Sequence, residues 1–260
     1  MPQPYRFTAQ TKGFSHKCKK QLTILAVSKQ LARRNRILAA LPDEEFARLL
    51  PHLETVRLEK GEIVYLTGDD IQYAYFLDSG LLSFLTTTET GSTIEVAMVG
   101  NEGIVGLPVI LKNRIIPYEV MVQFASEAVK LKAEALQEEF DRGETLHEWI
   151  LRYTNVLLAQ TTQSSICNRF HNFGETLSRW LLTVQDRVNS DSLNLTQETI
   201  SNALGVPRTA VTMAAGALQR AGAIRYSRGK IFILDHTRLE AYSCECYRII
   251  GNELRHFLKE

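Results

Sequence analysis

The chain has 260 residues, 45% of them hydrophobic and 23% charged, with a formal net charge of +1. This is an ordinary globular composition, long enough for two hydrophobic cores. No apolar run approaches the roughly 20 residues that span a bilayer, which excludes a membrane-spanning helical protein.

The near-zero net charge hides an asymmetry. Residues 1–36 hold nine Lys/Arg and no Asp/Glu, whereas the other 224 hold 21 and 29. Within that acidic remainder, residues 196–238 carry six Lys/Arg against two acids. Nucleic-acid affinity depends on local positive charge meeting phosphates, so a total of +1 does not exclude a DNA-binding protein.

Residues 1–30 show no sustained pattern and read as a flexible basic extension. Their one apolar piece, "LTILAV" (22–27), is too short for a signal-peptide core, so a cytoplasmic location is expected. Residues 31–50 read as a helix broken at Leu41-Pro42-Asp43, with Asp43 as a cap for "EEFARLL". From Val56 short β-rich runs follow one another: "IVYL", "YAYFL", "LLSFLTT", "TIEVAMV" and a pair within 118–132. Turn residues recur between them, as in a β-sandwich or barrel. Gly100, Gly103 and Gly106 lack the strand-to-helix context of a dinucleotide fingerprint.

The period then becomes helical. Leu146, Ile150, Tyr153, Leu157, Gln160, Ser164 and Cys167 keep a strict 4-3 spacing, the spacing of a two-helix seam. Residues 144–168 are expected to pair with their copy in a second subunit; a helix lying on its own β-domain would need the same apolar face. Asn168–Asn172 reads as a hinge, and 173–188 as a second amphipathic helix.

Residues 193–235 read as helix, Gly-containing turn, helix and basic hairpin. Thr196 sits at an N-cap position, Gly205 suits a sharp turn, and Pro207 suits the start of the next helix. Val211, Ala214, Ala215 and Leu218 supply that helix's buried stripe, and Gly222 ends it. This is the helix-turn-helix, whose second helix enters the major groove of double-stranded DNA. In "AIRYSRGKIFILD", Arg228 and Lys230 stand at the tip of a hairpin wing that can reach phosphates.

The order of these parts resembles the CRP/FNR family of bacterial transcription regulators over roughly residues 37–240. The likeness is strongest in "LTQETISNALGVPRTAVTMAAGALQRAGAIRYSRGKIFILD", with "VRLEKGEIVYLTGD" and "YFLDSGLLSF" like the family's opening β-roll turns. It implies an α+β chain with these parts: a cyclic-nucleotide-binding-like β-roll (31–143), a dimerisation helix (144–168), a winged helix-turn-helix (169–240) and a C-terminal tail (241–260). It also implies a homodimer on an inverted-repeat operator, with RNA polymerase as a further partner. Arg208, Thr209, Thr212 and Met213 would face bases, and Thr196 and Gln197 would meet phosphate. Arg208 keeps the guanidinium that can pair with guanine. Thr209 stands where an acid often reads cytosine, and Met213 where a second arginine is common, so the operator should differ from that of the cAMP receptor proteins.

Relatives that bind cAMP carry a Gly-Glu pair and, some ten residues on, an Arg followed by Ser or Thr that clamps the cyclic phosphate. Here "VGLP" follows Ile104, Ile116 and Pro117 stand at the clamp, and Arg114 is off register. The β-roll is therefore expected not to bind cAMP, and the effector is unassigned. An iron–sulfur centre of the FNR type is not expected either, because only Cys18 lies near the N-terminus and three or four thiolates are needed. Cys167, Cys244 and Cys246 and the six histidines are scattered, so no metal site is expected. "CEC" at 244–246 is the more suggestive pair, its thiols sharing a face in a strand and diverging in a helix; against a metal or redox role, partly buried cysteines in a C-terminal helix or strap are expected. No GxSxG, P-loop or HExxH motif occurs, so the chain is not expected to be an enzyme. The rival reading is a ligand-binding module that controls a partner protein and uses the helix-turn-helix for docking.

Overall fold

The computed structural model describes residues 29–259. The basic extension expected over 1–30 therefore lies outside the described residues, apart from Lys29 and Gln30, which open a short helix. Three helices come first: α1 (Lys29–Ala32), α2 (Arg36–Ala40) and α3 (Asp43–Leu49). Asn35 caps α2 by accepting from the Ile37 and Leu38 amides, and its side-chain amide donates to the Leu77 and Gly103 carbonyls. Asp43 is the first residue of α3, with Pro42 in the cap position, and it pairs with Lys29 and Arg33 instead.

Seven strands follow: β1 (Leu53–Leu58), β2 (Ile63–Tyr65), β3 (Tyr73–Leu77), β4 (Leu81–Thr87), β5 (Thr93–Val99), β6 (Glu119–Phe124) and β7 (Ser126–Lys132). They form two antiparallel sheets, β1-β7-β3 and β2-β6-β4-β5, around one apolar core. Then come α4 (Ala133–Phe140), α5 (Thr145–Phe170) and α6 (Phe173–Val188). The C-terminal part consists of β8 (Ser192–Leu193), α7 (Gln197–Leu204), α8 (Arg208–Arg220), β9 (Ile224–Ser227), β10 (Lys230–Ile233), α9 (His236–Ala241) and α10 (Cys246–Lys259). The α+β architecture is the one expected from the sequence.

Strand β4 is buried on both faces, and the two faces serve different domains. Leu82 and Phe84 point into the β-roll core, whereas Leu81 packs with the C-terminal domain, as the two-residue period of a strand requires. In β5, Ala97 and Val99 face the roll and Met98 faces the other way. The register against β4 shifts between Phe84↔Ala97 and Leu85↔Glu95. That bulge turns Glu95 to the face that Met98 occupies, a usual way for a bulge to re-aim a side chain. There the Glu95 carboxylate accepts from Trp180 Nε1 at 2.8 Å and from Ser83 Oγ at 2.5 Å, joining the roll to α6.

The face of α5 expected to form a dimer seam is instead buried within the protomer. Leu146, Ile150 and Tyr153 lie in the β-roll core, and Leu157 packs at its edge. The Tyr153 ring occupies the space beside Gly103, where any Cβ would clash. Gln160 is also buried, its amide donating to the Met98 carbonyl at 3.1 Å. A 4-3 stripe fits the chain's own sheet as well as it fits a second helix, and here the sheet has taken it. The helix runs to Phe170, so the hinge narrows to His171 and Asn172, and Asn172 caps α6 with a reciprocal capping box to Glu175.

The segment expected as a C-terminal tail is likewise an ordered element. Helix α10 buries Cys246, Ile250 and Phe257 along one face, and the Phe257 ring meets Trp149 and Tyr153 of α5. It straps the C-terminal domain back onto the long helix.

Burial raises the Glu95 pKa, outweighing the opposing hydrogen bonds from Ser83 and Trp180. The folded protein thus holds this proton more tightly than the unfolded chain does. The resulting stabilisation is complete below the ordinary glutamate value of about 4.3 and is lost as the pH rises through the folded value. Glu95→Gln keeps the acceptor for Trp180 without the ionisable group. In denaturant titrations its stability should therefore improve relative to wild type as the pH is raised from about 4 to 7; a difference independent of pH would show that folding leaves the Glu95 pKa unshifted.

Candidate nucleic-acid interface

The helix-turn-helix forms for local reasons. Thr196 caps α7 by accepting from the Thr199 amide at 3.1 Å. Gly205 adopts the left-handed conformation (φ 63°) and closes the helix through its amide to the Ser201 carbonyl. Pro207 stands in the cap position, one residue before α8. Ile200, Ala203, Leu204, Val211, Ala215 and Leu218 pack with Trp180, Leu181 and Val184 of α6. The small residues let α7 and α8 cross closely, and Gly222 (φ 74°) turns the chain into the wing.

The wing is a tight hairpin. Lys230 pairs with Ser227, leaving Arg228 (φ 50°) and Gly229 (φ 74°) as a two-residue turn with both backbones left-handed, the arrangement of a type I′ turn. β8 adds a third strand through Leu193 and Ser192. The Gln219 side chain accepts from the Tyr226 amide at 2.8 Å and ties the end of α8 to the wing.

The residues assigned to DNA contacts are accessible on α7, α8 and the wing. Arg208, Thr209, Thr212 and Met213 are exposed along the first turns of α8, with Met213 75% accessible. A Cβ on Gly229 would lie 3.4 Å from the Thr196 side chain, so the wing turn abuts the cap of α7. Thr196, Arg228 and Lys230 are exposed and Gln197 is half-buried. Two features were not legible beforehand. Arg208 pairs with Glu198 of α7 at 2.6 Å, both exposed. The Thr212 hydroxyl donates back to the Arg208 carbonyl at 3.0 Å, so its methyl and oxygen lone pairs remain for a ligand. The Glu198–Arg208 pair crosses from one helix to the next, and no fixed sequence spacing marks such a contact.

In the β-roll, the loop beyond β5 is filled by its own apolar side chains. Ile104, Val105, Leu107, Val109, Ile110 and Ile116 are all buried. Arg114 is held by Asp70 and Glu134 and donates to the Ile71 carbonyl. Elsewhere, Cys167, His171, Cys244 and Cys246, scattered in sequence, meet at the end of α5.

Among the described residues no helix is long and apolar enough to cross a membrane. Residues 55–142 match the cyclic nucleotide-binding domain family and residues 175–242 the Crp-like helix-turn-helix domain family. Several solved structures share the fold. FixK2 from Bradyrhizobium japonicum is 15% identical, with a TM-score of 0.65 over 74% of this chain and 98% of that one. CLP from Xanthomonas campestris, a c-di-GMP responsive global regulator, is 16% identical, with a TM-score of 0.63 over 75% and 100%. A CRP-family transcriptional regulator from Thermus thermophilus is 20% identical, with a TM-score of 0.61 over 75% and 96%. No curated protein matches the chain.

A β-roll joined through a long helix to a winged helix-turn-helix defines a DNA-binding transcription regulator. The chain belongs to the CRP/FNR family.

Thr196→Ala removes the side-chain acceptor at the start of α7 and should lower the stability of the C-terminal domain by about 1 kcal/mol. Urea unfolding followed through Trp180 fluorescence measures it; an unchanged midpoint would mean that water caps α7 equally well.

Proposed function

We propose that the protein binds an inverted-repeat operator as a homodimer, with α8 in the major groove and the wing tip and α7 cap on flanking phosphates. The observation that carries this reading is an α8 whose first turns expose Arg208, Thr209, Thr212 and Met213, beside a basic wing turn that abuts the Thr196 cap of α7. Groove-reading helices present their N-terminal residues to base edges while neighbouring amides and cations hold the backbone. Gln197, in the first turn of α7, is a further phosphate contact.

Arg208 is the specificity residue of this reading, since a guanidinium can donate twice to guanine O6 and N7. On DNA it exchanges Glu198 for the base, and that carboxylate then disfavours phosphate at the same place. Met213 offers no hydrogen bond and packs on an apolar feature such as a thymine methyl. Thr209 and Thr212 add short polar and methyl contacts.

Dimerisation runs along the outward face of α5. With the 4-3 stripe buried in the protomer, Leu151, Leu158, Ile166 and Phe170 remain exposed on that helix, Leu158 by 61% and Phe170 by 76%. Such a row of large apolar side chains calls for a cover, and a second copy of α5 supplies one of matching length. Two copies related by a two-fold axis place their recognition helices about one turn of DNA apart.

The β-roll is an effector domain that does not take cAMP. The clamp position is filled by buried Ile116, and Arg114 is already paired with two carboxylates, leaving no guanidinium for a cyclic phosphate. RNA polymerase is the further partner expected of such a regulator.

Selection from random duplex DNA at fixed, moderate salt tests the reading, and an enriched inverted repeat is the expected result. No enrichment, with the dimer intact, would favour a protein-docking role for the helix-turn-helix. Arg208→Ala should cost about 1–3 kcal/mol on the selected site and relax one base position per half-site. An equal loss on all sequences would make Arg208 a phosphate contact. Leu158→Glu places a charge in the proposed seam and should shift the protein to monomer in sedimentation equilibrium; an unchanged dimer would remove this stripe from the interface.

A further inference from the structure

The last turn of α5 and the α9–α10 junction bring three sulfurs and an imidazole together. Cys167 lies in the last turn of α5 and His171 is the residue that ends it, and Cys244 and Cys246 flank Glu245 where α10 begins. The four ligand atoms all lie within 4.8 Å of one another. Cys167 Sγ is 3.6 Å from Cys244 Sγ, and Cys246 Sγ is 3.7 Å from His171 Nδ1. All three cysteines are buried.

We propose that Cys167, His171, Cys244 and Cys246 form a mononuclear, tetrahedral Zn²⁺ site that fastens the end of α5 to the C-terminal strap. With Zn–S of about 2.3 Å and Zn–N of about 2.0–2.1 Å, a tetrahedron puts its sulfurs about 3.8 Å apart and sulfur and nitrogen about 3.6 Å apart. The 3.6 and 3.7 Å separations match these values, and all four ligand atoms lie within 4.8 Å of one another, close enough for one ion to gather them. A disulfide between Cys167 and Cys244 would need its sulfurs at about 2.05 Å and would leave Cys246 and His171 without a role.

Three features around the ligands point the same way. His171 Nε2 lies 3.3 Å from the Glu245 carboxylate, which holds the proton on Nε2 and turns the Nδ1 lone pair to the metal, as in carboxylate–histidine–zinc arrangements. Thr176 Oγ1 lies 3.4 Å from Cys167 Sγ, close enough for its hydroxyl to turn from the Asn172 carbonyl to a Cys167 thiolate. Buried Arg179 has an Nε without a hydrogen-bond partner, and its positive charge favours the Cys167 thiolate. Three thiolates and a neutral imidazole around Zn²⁺ leave one net negative charge, which this guanidinium offsets.

Binding releases the thiol protons to solvent and changes no oxidation state. The ion would lock the geometry at the His171–Asn172 hinge and seat α10 along α5. It is independent of the DNA reading, because none of its ligands lies on the α8 surface.

The test uses the full chain, as wild type and as Cys18→Ser, which removes the one cysteine outside the described residues. Protein purified under reducing conditions should contain one Zn²⁺ per chain in both forms. Cobalt(II) exchanged into the site should give an intense thiolate charge-transfer band and the strong visible bands of tetrahedral coordination. Cys246→Ser should drop below a tenth of the wild-type zinc content; should that variant fail to fold, the wild-type stoichiometry and cobalt spectrum decide alone. Reduced wild-type protein that stays folded without retaining Zn²⁺, an octahedral cobalt spectrum, iron in place of zinc, or a Cys167–Cys244 disulfide in freshly isolated protein would each overturn the assignment.

Discussion

The placement of the DNA-binding domain depends on a buried ion pair. Arg187 of α6 and Glu102 beyond β5 meet at 2.9 Å, with side chains only 4% and 5% exposed. Such a pair is costly to desolvate and persists only where its remaining hydrogen bonds are satisfied. Here Glu102 also accepts from the Gly100 amide, and Arg187 donates to Gln160, whose own amide reaches the Met98 carbonyl. One network therefore joins the β-roll, the long helix and the first helix of the C-terminal domain. A change in any of the three is felt by the other two, because breaking one contact leaves a charge buried and unpaired.

Around that network the two domains share an interface rather than a loose linker. Leu81 and Met98 of the roll belong to the core of the C-terminal domain. The bulge in β5 delivers Glu95 to Trp180, and the helix-turn-helix glycine lies against Ile94. An event that moved strands β4 and β5 would act directly on α6 and α7. This is a short physical path from the β-roll to the helix-turn-helix domain, carried by packed side chains and hydrogen bonds.

The helix-turn-helix was largely legible in the sequence because its determinants are local. A capping threonine, a glycine with positive φ, a proline before α8 and a wing closed by Arg228-Gly229 each act within a few residues. The strands were legible for the same reason, through their two-residue period and recurrent turn residues. The 4-3 stripe was equally plain, but a period says which face is apolar and not what covers it. The β-roll claimed Leu146, Ile150 and Tyr153, so the exposed row through Leu151 and Leu158 became visible only once that packing was known. The Cys167/His171 spacing at a helix end and the Cys-Glu-Cys triplet were readable signals; only their separation of more than 70 residues hid that they belong together.

Sequence by itself therefore determined the element order and the winged helix-turn-helix, because hydrogen bonds and backbone preferences a few residues long set them. Tertiary structure decided which apolar face of α5 is spent inside the protomer, and it turned the expected tail into a strap. It also set the Glu198–Arg208 pair and the gathering of three cysteines with one histidine. Those outcomes depend on which distant surfaces meet, and long-range packing leaves no fixed spacing in the chain to reveal it.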